Sequence, residues 1–90
     1  MTVEVTFRGG VELTMEVSDK YKILSEMMYS DRRFTDRNYD NQYCDLVNQC
    51  IKEIYNNCRT NFSKFLKIPD DSIIVIVDKD TEEAMMDWDD

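Results

Sequence analysis

The sequence predicts an α+β domain: a small antiparallel three-stranded sheet in the order β-β-α-α-β, with helices packed on one face and an acidic C-terminal segment. Three observations carry this prediction. Two runs near the N-terminus alternate apolar and polar residues on either side of Gly9-Gly10. A long stretch from about Asp40 carries apolar residues at helical spacing, and Ile73–Val77 is an uninterrupted aliphatic run. Alternation and short aliphatic runs are strand signals, whereas a 3,4 spacing is that of an amphipathic helix. Residues 1–80 are expected to form the domain, and 81–90 an acidic tail or short helix.

The first two strands make a hairpin. Val3, Val5 and Phe7 alternate with Glu4, Thr6 and Arg8, and after the glycines Val11, Leu13, Met15 and Val17 alternate with Glu12, Thr14 and Glu16. A loop of Gly9-Gly10 alone sets Phe7 opposite Glu12 and mixes the faces. A loop of Arg8-Gly9-Gly10 pairs Phe7 with Val11, Val5 with Leu13 and Val3 with Met15, so one face stays apolar. That loop length favours a type I turn with a glycine bulge.

Ser18 is the expected N-cap of a helix through roughly Ser30, with Asp19 at its positive end. Tyr21, Leu24 and Met28 make its stripe, flanked by Ile23 and Met27. The polar segment Asp31–Asn41 reads as a loop. From about Asp40, Tyr43, Leu46, Val47, Cys50, Ile51, Ile54, Tyr55 and Cys58 define the second helix. Phe62, Phe65 and Leu66 continue the apolar pattern after a break, and Pro69 stops helix beyond about Lys67. Asp70-Asp71-Ser72 is a turn into the third strand. In the last stretch, Asp80 and Glu83 have capping-box spacing, which allows a short helix from about Thr81.

Ninety residues suit one small domain, and the apolar fraction of 42% is enough for a core. Ile73–Val77 is far too short to span a membrane. MTVEVTFRGG lacks the charged and apolar regions of a secretory signal. Cys44, Cys50 and Cys58 fall on one helix, roughly 9 and 12 Å apart along its axis, beyond disulfide reach. They read as reduced thiols of a cytoplasmic protein. No cofactor or metal is expected, because the chain has no His and no CxxC spacing.

Charge narrows the function. The chain holds 19 acidic and 11 basic residues, a formal net charge of −8. Residues 1–69 hold 10 of each sign, and residues 70–90 hold 9 acids against Lys79 alone. Such a chain will not seek DNA, RNA or an anionic membrane surface. Asp78, Asp80 and Glu82 begin like a calcium loop, as do Asp36, Asn38 and Asp40, but neither set continues with the required glycine and glutamate. No nucleophile–base pair or phosphate loop is present, so an enzyme is not expected. Arg32, Arg33 and Arg37 are the only basic cluster, with Asp31, Asp36 and Asp40 around it to neutralise it.

The face of the sheet away from the helices is expected to carry Glu4, Thr6, Glu12, Thr14 and Glu16. Beside them lies either Ile73, Val75 and Val77 or Ile74 and Ile76. An exposed aliphatic strip of this kind marks a contact. Either Met85, Met86 and Trp88 fold back over it, or a partner subunit covers it. Ile74, Ile76, Met85 and Trp88 are thus candidates for dimerisation or tail packing.

Beside plain solubility, which many acidic cytosolic domains need, two functional readings of the acid excess remain. In the first, ordered carboxylates imitate DNA phosphates. A dimer of charge −16 would equal roughly 27 Å of duplex at one charge per 1.7 Å. In the second, the C-terminal segment with Met85, Met86 and Trp88 docks as a peptide in a partner's groove.

The size, the acidity and the hairpin-helix-helix-strand order, with DRRFTDRNYDNQYCDLVNQCIKEIY and PDDSIIVIVDKDTEE, give the chain a family likeness. It resembles the small anti-restriction nuclease (Arn) proteins of T-even phages. The resemblance covers most of the chain and implies a homodimeric DNA mimic in the host cytoplasm. The partners it implies are the modified-cytosine restriction enzyme McrBC and the nucleoid protein H-NS. It assigns no residues. The expected partner-binding set therefore comes from charge: Glu82, Glu83, Asp87, Asp89 and Asp90, then Glu4, Glu12 and Glu16 on the sheet, with Asp70 and Asp71 at its edge.

Overall fold

The computed structural model describes residues 1–61 and 72–88. The alternating N-terminal runs form β1 (Thr2–Phe7) and β2 (Glu12–Glu16). Val3 pairs with Met15 and Val5 with Leu13, and the Phe7 N–H donates to the Val11 carbonyl at 2.8 Å. This is the register that keeps one face apolar. The turn type differs from expectation. The Gly10 N–H donates to the Phe7 carbonyl at 3.1 Å, with Gly9 at φ +94° and Gly10 at φ +91°. A positive φ at the third turn residue marks type II rather than type I, and glycine adopts it without a Cβ clash.

Ser18 caps the next element, its hydroxyl accepting from the Lys20 N–H at 3.4 Å. The helix begins as a tight 3-10 segment, Asp19–Ile23, and continues as α1 (Leu24–Met28). Tyr21, Leu24 and Met27 are buried, whereas Ile23 is exposed.

The segment 31–41 is helical rather than a loop. It holds α2 (Arg32–Thr35) and the start of α3 (Arg37–Asn61). Asp36 explains the early start. Its carboxylate accepts from the backbone N–H groups of Asn38 (3.0 Å) and Tyr39 (3.3 Å), which is an N-cap. Hydrophobic periodicity could not reveal α2, because it buries no residue fully. Further along, α3 buries Tyr43, Val47, Cys50, Ile54, Tyr55 and Cys58 of the expected stripe and leaves Leu46 and Ile51 half-buried. The three cysteines are free thiols.

Among the described residues the sheet has four strands rather than the expected three, in the order β2-β1-β3-β4, all pairs antiparallel. β3 is Ile73–Asp78 and β4 is Glu83–Asp87. The expected acidic tail or short helix is therefore corrected: half of that stretch, Glu83–Asp87, is an edge strand. Asp78 forms the connection instead of a capping box. Its carboxylate accepts from the Asp80 N–H at 2.8 Å, and its carbonyl accepts from the Glu82 N–H at 2.7 Å. Glu82 takes the left-handed conformation that closes the loop, at φ +60°.

Two bulges decide what faces inward. Thr6 pairs with Val75 and Phe7 with Ile73, leaving Ile74 as the extra residue on β3. Ile76 pairs with Met86 and Val77 with Ala84, leaving Met85 extra on β4. A bulge puts two residues opposite one and breaks strict alternation. Ile73 and Ile76 consequently both enter the core, and Met85 and Met86 do so side by side. Neither proposed strip survives as a set. Ile76 is buried and Ile74 half-buried, while Val75 and Val77 share the outer face. Met85 packs into the core, but Trp88 stays 49% exposed. The break after α3, the Pro69 stop and the turn at Asp70 and Asp71 lie outside the described residues. No helix among the described residues is long and apolar enough to cross a membrane.

Candidate functional site

The helices contribute their buried residues to the core with Val3, Val5 and Phe7. The even-numbered residues of the hairpin therefore form the opposite face. Pairing lays them out as a grid. Glu12, Thr6, Val75 and Asp87 make one row across the four strands, and Thr14, Glu4, Val77 and Ala84 the next. Glu16 and Thr2 begin a third. Strand spacings separate Glu12 from Glu16 by roughly 13 Å, with Glu4 roughly 8 Å from each. Three threonines and two valines fill the positions between the acids.

Lys79 brings a cation into this face. Lys79 follows β3, and its Nζ lies 3.3 Å from the Glu82 carboxylate and 3.7 Å from that of Glu4. The hydrogen bond to Glu82, and then the charges of Glu82 and Glu4, raise the Lys79 pKa above its ordinary value. Lys79 thus draws the loop acid and the strand acid together. Its signal in the sequence was its position as the single base in residues 70–90. Glu16 is also engaged: it accepts a hydrogen bond from the Thr2 hydroxyl and lies 3.5 Å from the Met1 ammonium. Glu12 is exposed beside Thr6.

Not every expected acid joins the face. Glu83 pairs with Asp78 and shares that residue's side of the sheet. Asp70, Asp71, Asp89 and Asp90 lie outside the described residues. The two calcium-like triplets have structural jobs, since Asp36 caps α3 and Asp78 holds the β3–β4 loop.

The arginine cluster belongs to the helical layer. Arg33 donates to Asp40 at 3.1 Å and to the Met28 carbonyl at 3.2 Å, and its guanidinium lies 4.1 Å from the Tyr43 ring centroid. Arg32 lies 4.4 Å from the Tyr39 ring and 3.5 Å from Asp36. Arg37 opens α3.

The thiols are poorly suited to nucleophilic chemistry. Burial, reinforced by Glu53, pushes Cys50 up to about 12, and burial raises Cys44 and Cys58 as well. A thiol of raised pKa carries little thiolate near neutrality. Among the described residues, no three His, Cys, Asp or Glu side chains converge to hold a metal ion.

No family model, curated protein or solved structure matches this chain.

Proposed function

We propose that this chain is an acidic DNA-mimic inhibitor, as in the anti-restriction nuclease family it resembles. It occupies the DNA-binding surface of a host protein, for which McrBC and H-NS are the candidates the resemblance implies. One observation carries the reading: the hairpin acids share one sheet face, while Arg32, Arg33 and Arg37 sit in the helical layer. The roughly 13 Å between Glu12 and Glu16 corresponds to about four phosphates of one DNA strand. The sheet supplies Glu4, Glu12 and Glu16 over that length, and Glu82 and Asp87 extend the acidic area. No reaction is part of this function. A homodimer doubles the charge to −16.

The rival, a tail that docks in a partner's groove, loses support. Met85 and Met86 are 0% exposed within β4, so a docking tail would have to leave the core.

The test is competition. The DNA-binding partner is loaded on labelled duplex, and the chain is titrated in at low and high salt. The expected result is displacement that weakens steeply as salt rises. Changing Glu4, Glu12 and Glu16 together to Gln should weaken it roughly tenfold, at the usual worth of exposed ion pairs. DNA that stays bound at every salt concentration sinks the proposal. Sedimentation at several concentrations tests the dimer.

A further inference from the structure

Among the described residues, the outer edge of β2 has backbone groups with no partner. Met1 and Val17 exchange both backbone hydrogen bonds, at 2.9 Å each, and Phe7 donates to Val11 at 2.8 Å. Hydrogen-bonded pairs alternate along an antiparallel ladder, so Val11, Leu13, Met15 and Val17 point their backbone groups at β1. Glu12, Thr14 and Glu16 point theirs away from the sheet. The far end of this edge is closed by α3: Asn57 donates to the Glu16 carbonyl at 2.9 Å, and Glu53 accepts from the Ser18 N–H at 2.8 Å. Among the described residues, nothing bonds the outward N–H and C=O groups of Glu12 and Thr14. The opposite edge of the sheet differs. β4 is bulged, α1 packs beside it, and the Met85 carbonyl accepts from the Tyr43 hydroxyl.

We propose that the β2 edge is a docking site for an extended protein segment that alternates basic and aliphatic residues and adds to the sheet as a fifth strand. Side chains of an added strand alternate between the two faces. On the outer face they lie beside Glu12, Thr14 and Glu16, where Lys or Arg complements the charge. On the other face they meet Leu13 and Met15, which are half-buried at the core margin, so aliphatic side chains extend the core there. A second copy of this chain fits poorly. Antiparallel pairing of two β2 strands about Thr14 sets Glu12 directly opposite Glu16 of the second copy, and pairing about Leu13 sets the two Glu12 side chains diagonally across, so like charges meet in either register. The inference goes beyond DNA mimicry, because it rests on backbone pairing and needs no DNA-binding activity in the partner.

The probe is a short fluorescent peptide alternating Lys and Val. Its control is the same peptide with methylated backbone nitrogens on one edge, which keeps every side chain and charge but cannot pair. Thr14→Pro is the matching protein variant. Its missing N–H points outward, so the ladder to β1 is kept, as edge strands tolerate. The expected result is binding by the unmodified peptide, with new amide-exchange protection at Glu12 and Thr14. Thr14→Pro and the methylated peptide should each weaken binding at least about tenfold, the worth of one or two hydrogen bonds. The methylated peptide decides the matter even if Thr14→Pro fails to fold. Equal binding by both peptides, or by Thr14→Pro and the unaltered chain, overturns the inference. A chain dimer that Thr14→Pro dissociates also overturns it, since the occupant is then a second copy. Thr14→Pro keeps all the carboxylates, so loss of peptide binding with DNA displacement intact separates this inference from the mimic reading.

Discussion

The Tyr43 hydroxyl, carried by α3, donates a buried hydrogen bond of 2.6 Å to the carbonyl of Met85 in β4. The bond reaches the bulge itself, the one residue of β4 without a pairing partner on β3. A bulge frees a carbonyl from the ladder, and a buried carbonyl needs another donor. The helix supplies it. Tyr43→Phe leaves that oxygen buried and unsatisfied, so it should cost about 1–3 kcal/mol. Urea unfolding checks this: the midpoint falls while the slope stays constant. An unchanged midpoint means the bond contributes nothing.

Removing residues 82–90 should abolish the fold rather than trim a tail. Met85 and Met86 are both fully buried, and losing a core Met costs about 2–5 kcal/mol. The pair together approaches the roughly 5–15 kcal/mol that holds a whole domain. Thermal unfolding by circular dichroism should show no cooperative transition for the truncated chain. A truncated chain that melts like the full one would contradict the placement of β4.

Alkaline pH should destabilise the protein earlier than tyrosine alone predicts. Burial raises Cys50 from 9.0 to about 12 and Tyr43 from 10.0 to about 12. In the folded chain both hold their protons where the unfolded chain releases them. The unfolded state then binds fewer protons, so stability falls as pH rises. The contribution is complete below pH 9 and is lost progressively between about 9 and 12. Urea melts at stepped pH should show this decline, and Cys50→Ala should make it shallower between 9 and 10. A flat profile until pH 10 would argue against the buried thiols.

Glu82 occupies left-handed backbone at φ +60°, a conformation that costs an ordinary residue about 1–2 kcal/mol. Its ion pair with Lys79 is exposed and returns little. Glu82→Asn should therefore raise stability by up to about 1 kcal/mol, because Asn tolerates this region better. The same change removes one acid beside Glu4 and should weaken a basic partner. Reduced stability in the Asn variant would show that the pair outweighs the strain.

Much of this architecture was legible in the residues. The hairpin register followed from Val3, Val5 and Phe7 against Val11, Leu13 and Met15, since one slip would bury the glutamates. The α3 stripe from Tyr43 to Cys58 followed from its spacing. Glu4, Glu12 and Glu16 could be assigned to one face by alternation alone. The reading failed where periodicity fails. Glu83–Asp87 carries two adjacent buried methionines between acids, which matches neither period two nor a helical stripe. Segment 31–41 buries no residue fully, and Phe34 and Tyr39 are too few to mark a stripe, so its helices left no apolar periodicity.

By itself, then, the sequence determined the hairpin, the long amphipathic helix and the sorting of acids within the hairpin. Each depends on local alternation or spacing along a single stretch of chain. Tertiary structure alone decided the fourth strand, the inward pair Met85 and Met86, and the bridge from Lys79 to Glu4 and Glu82. Those features depend on bulges, on a tyrosine 42 residues distant in sequence, and on which strand lies next to which. The net charge of −8 belongs to the sequence; which carboxylates share a face belongs to the pairing of the strands.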